Sequence, residues 1–286
     1  MKNKLLLGVH LFGNISPFKK FEMASHLGLQ SFQMFTASNL SYSLNFVLKQ
    51  DVIDSFHEGR KAFKDIKVFS HACYLLNIAN RENAENYAKS YQALCLEMER
   101  CQLLGIEGVV LHPGSLADRE QGLKNIAETI NQIYAEQDFT VPLFLESSAG
   151  RGNTLPVSIE EMATIYELCS EKVKQKVKFT LDTCHLHASG YNLSTKDLVY
   201  NFFERFDGIL GLDKIGLLHL NDSVYKSGER KDRHTNIGKG TIGRDGIQAI
   251  INYRELSEVY KILETKVSEN IFFKEDISVV KGLFLE

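Results

Sequence analysis

The stretch Thr180-Leu-Asp-Thr-Cys-His-Leu-His-Ala-Ser-Gly190 follows Lys178 and Phe179, so a short apolar run stops abruptly at Asp182, His185 and His187. Unpaired charge is costly to bury, which makes a carboxylate and imidazoles at a strand end poor packing groups. They are well suited to hold a metal ion. The pattern recurs in Ser70-His71-Ala72, Leu111-His112-Pro113-Gly114, Phe144-Leu145-Glu146-Ser147, Leu218-His219-Leu220-Asn221-Asp222 and Leu263-Glu264-Thr265. A lone strand-end histidine is more often a hydrogen-bonded structural residue, and Glu146 or Glu264 alone could be an ion-pair partner or a helix-capping acid. Six successive runs ending alike favour one shared site. Asp232-Arg233-His234 adds a carboxylate and an imidazole two residues apart, a spacing that turns both to one side of an extended segment.

Imidazole and carboxylate without thiolate favour zinc, manganese or iron over a thiolate structural site. Nine candidate ligands exceed the needs of one ion, so two or three are implied. His10 ends the first run and is a candidate to line the pocket, whereas His26 and His57 fall in helical patterns and read as surface or packing residues. His187 competes with His185, because on extended backbone the two share a side; spacing prefers His185 without excluding the other.

The elements that must position these residues are visible as apolar runs of strand length. They are Leu5–Phe12, Ser31–Phe35, Val68–Tyr74, Gly108–His112, Pro142–Glu146, Val177–Asp182, Ile215–Asn221 and Val259–Thr265. Between them lie helical patterns. Glu82–Leu104 places Tyr87, Tyr91, Leu94 and Met98 at helical spacing and ends at Gly105. Gly122–Glu136, Ser158–Lys174 and Thr195–Gly208 follow, with Ser158 an N-cap candidate three residues before Glu161. Eight strand–helix units without a shift in composition predict one closed (β/α)8 TIM barrel spanning residues 1–286 as a single domain, with an open doubly wound sheet as the alternative. In a barrel the strand ends share the C-terminal face, so residues far apart in sequence converge there. Asp222–Gly243 carries no strand or helix pattern and is rich in glycine and charge; loops of that length in compact domains tend to be functional.

The formal net charge of -3 gives no global pull toward nucleic acid, so a polyanionic partner must meet a local basic patch or bound cations. Five cysteines without paired spacing argue for a reduced, cytoplasmic chain, with Cys95 and Cys101 as small core residues. The N-terminal apolar run is too short for a signal peptide or a span, so no membrane partner is expected.

Taken together, Val109-Val-Leu-His-Pro-Gly-Ser115, Leu145-Glu-Ser-Ser-Ala-Gly150, Leu181-Asp-Thr-Cys-His185, His219-Leu-Asn-Asp222 and Asp232-Arg-His-Thr-Asn-Ile-Gly-Lys-Gly240 resemble the signatures of the endonuclease IV family of apurinic/apyrimidinic endonucleases. They occur in family order and, with His71 and Glu264-Thr265, cover nearly the whole chain. The resemblance implies a trinuclear zinc site on a TIM barrel, with manganese or iron as alternatives in some positions. His71 and His112 would bind one ion, and Glu146 would bridge it to a second held by Asp182, His219 and Glu264. His185, Asp232 and His234 would bind the third; the Asp-Thr-Cys-His frame selects His185 over His187. Glu146 would position the nucleophile while Glu264 and Asp182 tune the second ion. The implied reaction is hydrolysis on the 5′ side of an abasic site in double-stranded DNA, by a monomer, leaving a 3′-hydroxyl and a 5′-deoxyribose phosphate.

Lys226, Arg230, Lys231, Arg233, Lys239 and Arg244 cluster in the long loop and are candidates for phosphate contacts. Tyr74 and Leu75 match family positions that wedge into the duplex when a nucleotide is flipped out. The chain departs from the family in Phe35-Thr-Ala-Ser-Asn-Leu40, where Ala37, Ser38 and Leu40 stand and no arginine appears. Two rival readings are a divalent-metal sugar isomerase on the same barrel and a non-catalytic abasic-site binding protein. Against the first stands the Asp232, His234 and His185 set, which has no evident purpose in a two-metal isomerase. Against the second stand intact ligands at every position.

Overall fold

Short apolar runs, buried on both faces and each followed by a helix, build a closed ring of eight parallel strands. The computed structural model describes residues 4–265 and 273–285. The strands are β1 (Leu7–His10), β2 (Ser31–Met34), β3 (Lys67–His71), β4 (Val109–Leu111), β5 (Leu143–Glu146), β6 (Val177–Asp182), β7 (Ile215–His219) and β8 (Tyr260–Leu263). Each pairs in parallel with its neighbours in sequence, and β8 closes the ring against β1 through Leu7↔Lys261 and Val9↔Leu263. The closed ring removes the open-sheet alternative.

The barrel interior is packed by Phe69, Val110, Phe144, Leu217 and Ile262, with Tyr260 against them. The Phe144 ring sets two glycines: a Cβ on Gly108 would lie 2.6 Å from it and one on Gly216 3.0 Å. The larger apolar layer fills the space between strands and helices, with Phe21, Phe32, Phe56, Phe179, Phe203 and Phe206 fully buried.

The helices are α1 (Pro17–His26), α2 (Gln50–Ala62), α3 (Ala84–Leu104), α4 (Arg119–Glu136), α5 (Ile159–Leu168), α6 (Glu171–Lys174), α7 (Thr183–Ser189), α8 (Lys196–Ile209), α9 (Gly243–Ile251) and α10 (Lys274–Leu283). Helix α3 starts on Asn83, whose side chain accepts from the Asn86 amide, and stops at Gly105 in the left-handed region. The helix expected over Ser158–Lys174 is two. Ser158 caps the first by accepting from the Glu161 amide, but Cys169 is extended and the chain restarts at α6. Asn131 of α4 stabilises the break, donating to Leu168 O at 3.0 Å and accepting from the Ser170 amide at 2.8 Å. These contacts take up polar groups that helix ends leave open.

Six strands stop short of their apolar runs: β1, β3 and β7 end at His10, His71 and His219 rather than Phe12, Tyr74 and Asn221, β8 at Leu263 rather than Thr265, and β2 and β4 one residue early. The apolar residues beyond those points pack in loops on the same rim. Among the described residues no helix is long and apolar enough to cross a membrane.

Candidate metal centre

Four strands end on a residue of the candidate donor set, β3 on His71, β5 on Glu146, β6 on Asp182 and β7 on His219, and β1 ends on His10 beside them. His112 and Glu264 stand one residue beyond β4 and β8. All therefore reach the C-terminal mouth of the barrel. There they form three groups whose donor atoms lie within 4.8 Å of one another: His71, His112 and Glu146; Glu146, Asp182, His219 and Glu264; and His185, Asp232 and His234. A fourth such group, Asp182, Cys184 and His234, overlaps the others.

Glu146 is the hub. Its Oε2 lies 3.1 Å from His71 Nε2 and 3.4 Å from His112 Nε2, while its Oε1 lies 3.0 Å from His219 Nδ1. His219 Nδ1 also faces Glu264 Oε2 at 3.2 Å and Asp182 Oδ2 at 3.9 Å. In the third group His185 Nε2 is 3.2 Å from Asp232 Oδ2, and His234 Nε2 is 3.4 Å from Asp232 Oδ1 and 3.5 Å from Asp182 Oδ2.

Burial and charge pull against each other here. Burial raises the Glu146 carboxyl, but His112 and His219 outweigh it and hold the group well below the usual carboxylate range. Glu264 is depressed in the same sense, chiefly by His219. Burial would lower His219, yet Glu264 and Glu146 raise it to about 9, and His185 is raised by Asp182 and Asp232. Burial wins at His112 and His10, both lowered to about 4. Asp232 is lowered to about 2, burial being overcome by the hydrogen bond from His185. Four carboxylates this close need positive charge among them. Protons on His219 and His185 supply it, or cations that displace those protons do. His234 Nε2 is buried with no hydrogen-bond partner among the described residues, an acceptor suited to a cation.

The region after Asp182 corrects one expectation. Residues 183–189 are a helix rather than an extended segment, and the Asp182 side chain caps it by accepting from the His185 amide at 2.8 Å. Two residues along a helix turn the side chain by about 200°, so His185 and His187 diverge. His185 points to the candidate centre. His187 lies on the other side, its Nδ1 accepting from the Leu193 amide and its Nε2 3.2 Å from Thr241 Oγ1.

The long loop is also more structured than its composition suggests. Asp222–Ser223 pairs antiparallel with His234–Thr235, and α9 begins at Gly243. Asp222, fully buried, accepts from the amides of Ser223, Gly238, Gly240, Ile242 and Gly243 at 2.8–3.3 Å. Gly240 is required by that approach, because a Cβ would sit 2.3 Å from Ser223 O. Asp276 of α10 ties the loop to the end of β8, accepting from Asn236 Nδ2, the Ile237 amide and Thr265 Oγ1. An Asp222→Ala substitution leaves five amides without their acceptor. It is expected to cost about 3 kcal/mol in urea unfolding and to open Lys226–Arg233 to trypsin; unchanged stability and protease resistance would contradict this role.

A cleft of about 500 Å³ opens beside the centre, lined among others by Tyr74, Leu75, Asn77, His112, His185 and Asp232. Tyr74 stands edge-on to His71 at 5.1 Å and to Phe35 at 5.5 Å. The loop after β2 is joined to this lip: the Tyr74 amide donates to Asn39 O at 3.0 Å and Tyr42 Oη to Leu75 O at 3.2 Å. Leu40, 70% exposed, projects from that ridge with Tyr74 and Leu75. Lys226, Arg230, Arg233 and Lys239 are exposed and form no ion pair among the described residues. Lys231 instead pairs with Glu229 and lies over the Tyr225 ring, and Arg244 packs across Gly238.

Several residues around the centre escape motif reading. Asn221 donates to Asp182 Oδ2 at 2.6 Å and its Oδ1 accepts from the Glu264 amide. Ser147 Oγ accepts from the Asp182 amide, and Ser147 O lies 2.8 Å from His185 Nδ1. Gln33 is fully buried at the inner face of β2. Its signal was present, a polar residue at an inward position of an apolar strand.

Comparisons with known proteins agree with this fold. Residues 21–281 match the family described as xylose isomerase-like TIM barrel. The protein described as "Probable endonuclease 4" of Staphylococcus carnosus (strain TM300) is 34% identical over 91% of this chain and 88% of its own length. The crystal structure of endonuclease IV from Thermus thermophilus superposes with a TM-score of 0.81 at 29% identity, covering 97% of both chains. A D-tagatose 3-epimerase-like protein shares the fold at 19% identity and a TM-score of 0.69, covering 98% of this chain and 95% of its own.

Proposed function

The chain belongs to the endonuclease IV family of xylose isomerase-like TIM barrels, and on that premise we propose that it is a zinc-dependent endonuclease that cuts double-stranded DNA on the 5′ side of abasic sites. The observation that carries this reading is the convergence of nine imidazole and carboxylate residues in three groups, two of which share Glu146, beside a cleft. All nine come from one chain, so the site needs no partner subunit, consistent with a cytoplasmic monomer.

The donor set fits zinc, with manganese or iron as alternatives. His71, His112 and Glu146 would hold one ion, Glu146, Asp182, His219 and Glu264 a second, and His185, Asp232 and His234 a third. When bound, such ions lower the pKa of water to about 7 and neutralise charge on a phosphodiester. The residues themselves supply orientation. Glu146 offers Oε2 to the His71 side and Oε1 to the His219 side, so one carboxylate sets the two groups relative to each other. Asp182 is held by the Asn221 amide and caps α7, which keeps His185 aimed at Asp232. The packed barrel interior closes the centre from beneath, and the cleft lined by Tyr74, Leu75, His112, His185 and Asp232 opens beside it. Tyr74 and Leu75 are positioned to fill the space left by a displaced nucleotide. Lys226, Arg230, Arg233 and Lys239 are available for phosphates, so a chain of net charge -3 meets DNA through this loop and its cations.

A sugar isomerase would explain the barrel but not the third donor group, and likeness to epimerases at this identity speaks for the fold alone. The test is a duplex with one synthetic abasic site. Incision whose product a polymerase extends directly supports cutting on the 5′ side; a nick that cannot be extended would overturn that polarity.

Chelated protein should show a characteristic pH response. His219, raised from 6.5 to about 9, stabilises the fold below pH 6.5 and loses that contribution as pH rises through 9. His10 and His112, lowered to about 4, act oppositely and weaken the fold as pH falls from 6.5 toward 4. The depressed Glu146 and Glu264 also lose their contribution as pH falls below 4.5. Stability is therefore expected to peak near pH 6.5 and fall by up to about 3 kcal/mol toward pH 9, with zinc flattening the alkaline limb. Urea titrations at both pH values check this.

A further inference from the structure

We propose that Gln33, on β2, is a positioning residue that selects which nitrogen of His219 faces the carboxylates and thereby sets how firmly the Glu146, Asp182, His219 and Glu264 group retains its ion. This rests on the metal reading above.

Side chains alternate in direction along β2. Ser31 and Gln33 point into the barrel while Phe32 and Met34 pack outward, and Gln33 is fully buried. A buried primary amide must place both of its ends. Gln33 Nε2 lies 2.7 Å from Glu264 Oε1, and Gln33 Oε1 lies 2.9 Å from His219 Nε2. An ionised carboxylate only accepts, so the amide NH2 must face Glu264; the reversed amide would set two acceptors against each other. The Gln33 carbonyl is then fixed on His219 Nε2, which must carry a hydrogen. In the neutral ring, the form left when a cation displaces the second proton, His219 Nδ1 has its lone pair toward Glu146 Oε1, Glu264 Oε2 and Asp182 Oδ2 at 3.0, 3.2 and 3.9 Å. Four acceptors meeting at one point define a cation site.

The same amide occupies Glu264 Oε1 and leaves Oε2 turned to the group. His10 backs the arrangement: its Nδ1 lies within hydrogen-bond distance of both Gln33 Nε2 and Glu264 Oε1, and its ring stacks on Phe12 at 4.1 Å. Either partner for His10 leaves the Gln33–Glu264 bond in place.

The other two histidines with an orienting bond of this kind use main-chain acceptors. His71 Nδ1 lies 2.7 Å from Ala72 O and His185 Nδ1 2.8 Å from Ser147 O. Those acceptors survive any side-chain substitution. At His219 the orienting acceptor is a side chain, so its removal affects one group and spares two. Such outer partners typically change metal affinity by about 10–100-fold.

The test measures zinc per chain and its loss to a competing chelator in wild type, Gln33→Met and Gln33→Glu. In Gln33→Met one zinc is expected to be lost about 10–100-fold more readily while the others keep wild-type retention. Gln33→Glu keeps an acceptor for His219 but sets a second carboxylate against Glu264 Oε1, so it too should lose that one ion more readily than wild type, which covers the case in which Gln33→Met fails to fold. Equal retention in all three proteins overturns the inference, as does uniform weakening of every ion. Wild type without zinc overturns the metal reading itself, and this inference with it.

Discussion

Replacing Glu146 with glutamine is expected to reduce incision at an abasic site by about 10²–10³-fold or more, the scale seen when a preorganised catalytic electrostatic group is lost. The substitution nearly preserves volume, yet it removes the charge on which four imidazoles, those of His71, His112, His185 and His219, converge at 3.0–3.4 Å. An amide offers one acceptor where the carboxylate offers two, so the His71 and His219 sides cannot both be served. The amide NH2 must also point at one of those histidines, where it competes with a cation for the ring lone pair. Zinc retention should fall together with rate. Single-turnover incision and metal content, measured on the same preparation, check both; activity within tenfold of wild type would remove Glu146 from the centre of the account.

Removing metal should have the second large effect. A ligand present at about a thousand times its dissociation constant stabilises the native state by about 4 kcal/mol. In a protein of this size each kcal/mol moves the thermal midpoint by about 2–4 °C, so each tightly held ion is worth on the order of 10 °C. Dialysis against a chelator should therefore abolish incision and lower the midpoint by at least that much. Zinc should restore both, whereas magnesium should not, because imidazole-rich sites suit it poorly. A midpoint unchanged by chelation would mean that the convergent carboxylates are satisfied by protons alone.

Much of this arrangement was legible in the chain before folding. Strand ends were legible because a parallel barrel buries both faces of each strand, so a carboxylate or imidazole marks where apolar packing gives way to a polar site, as at His71, Glu146, Asp182 and His219. Helix limits were legible where a side chain caps or a glycine breaks, as at Ser158 and Gly105. Three things were not. The helix at residues 183–189 is short and starts inside a motif, and its capping residue Asp182 looked like the end of a strand. The break between α5 and α6 depends on Asn131, 39 residues from Ser170, and no local pattern carries that. Asp222 organises the long loop through amides, which have no side-chain signature at all. Local propensity marks where elements begin; long-range hydrogen bonds decide how the loops between them are held.

The most direct test of the central claim is a zinc titration of chelated protein, following incision of a duplex that carries one abasic site beside an intact control duplex. The account predicts no cutting without metal, then cutting of the abasic strand alone, rising as the three donor groups fill. Full activity in the chelated protein, or zinc-loaded protein that leaves the abasic strand whole, would contradict it.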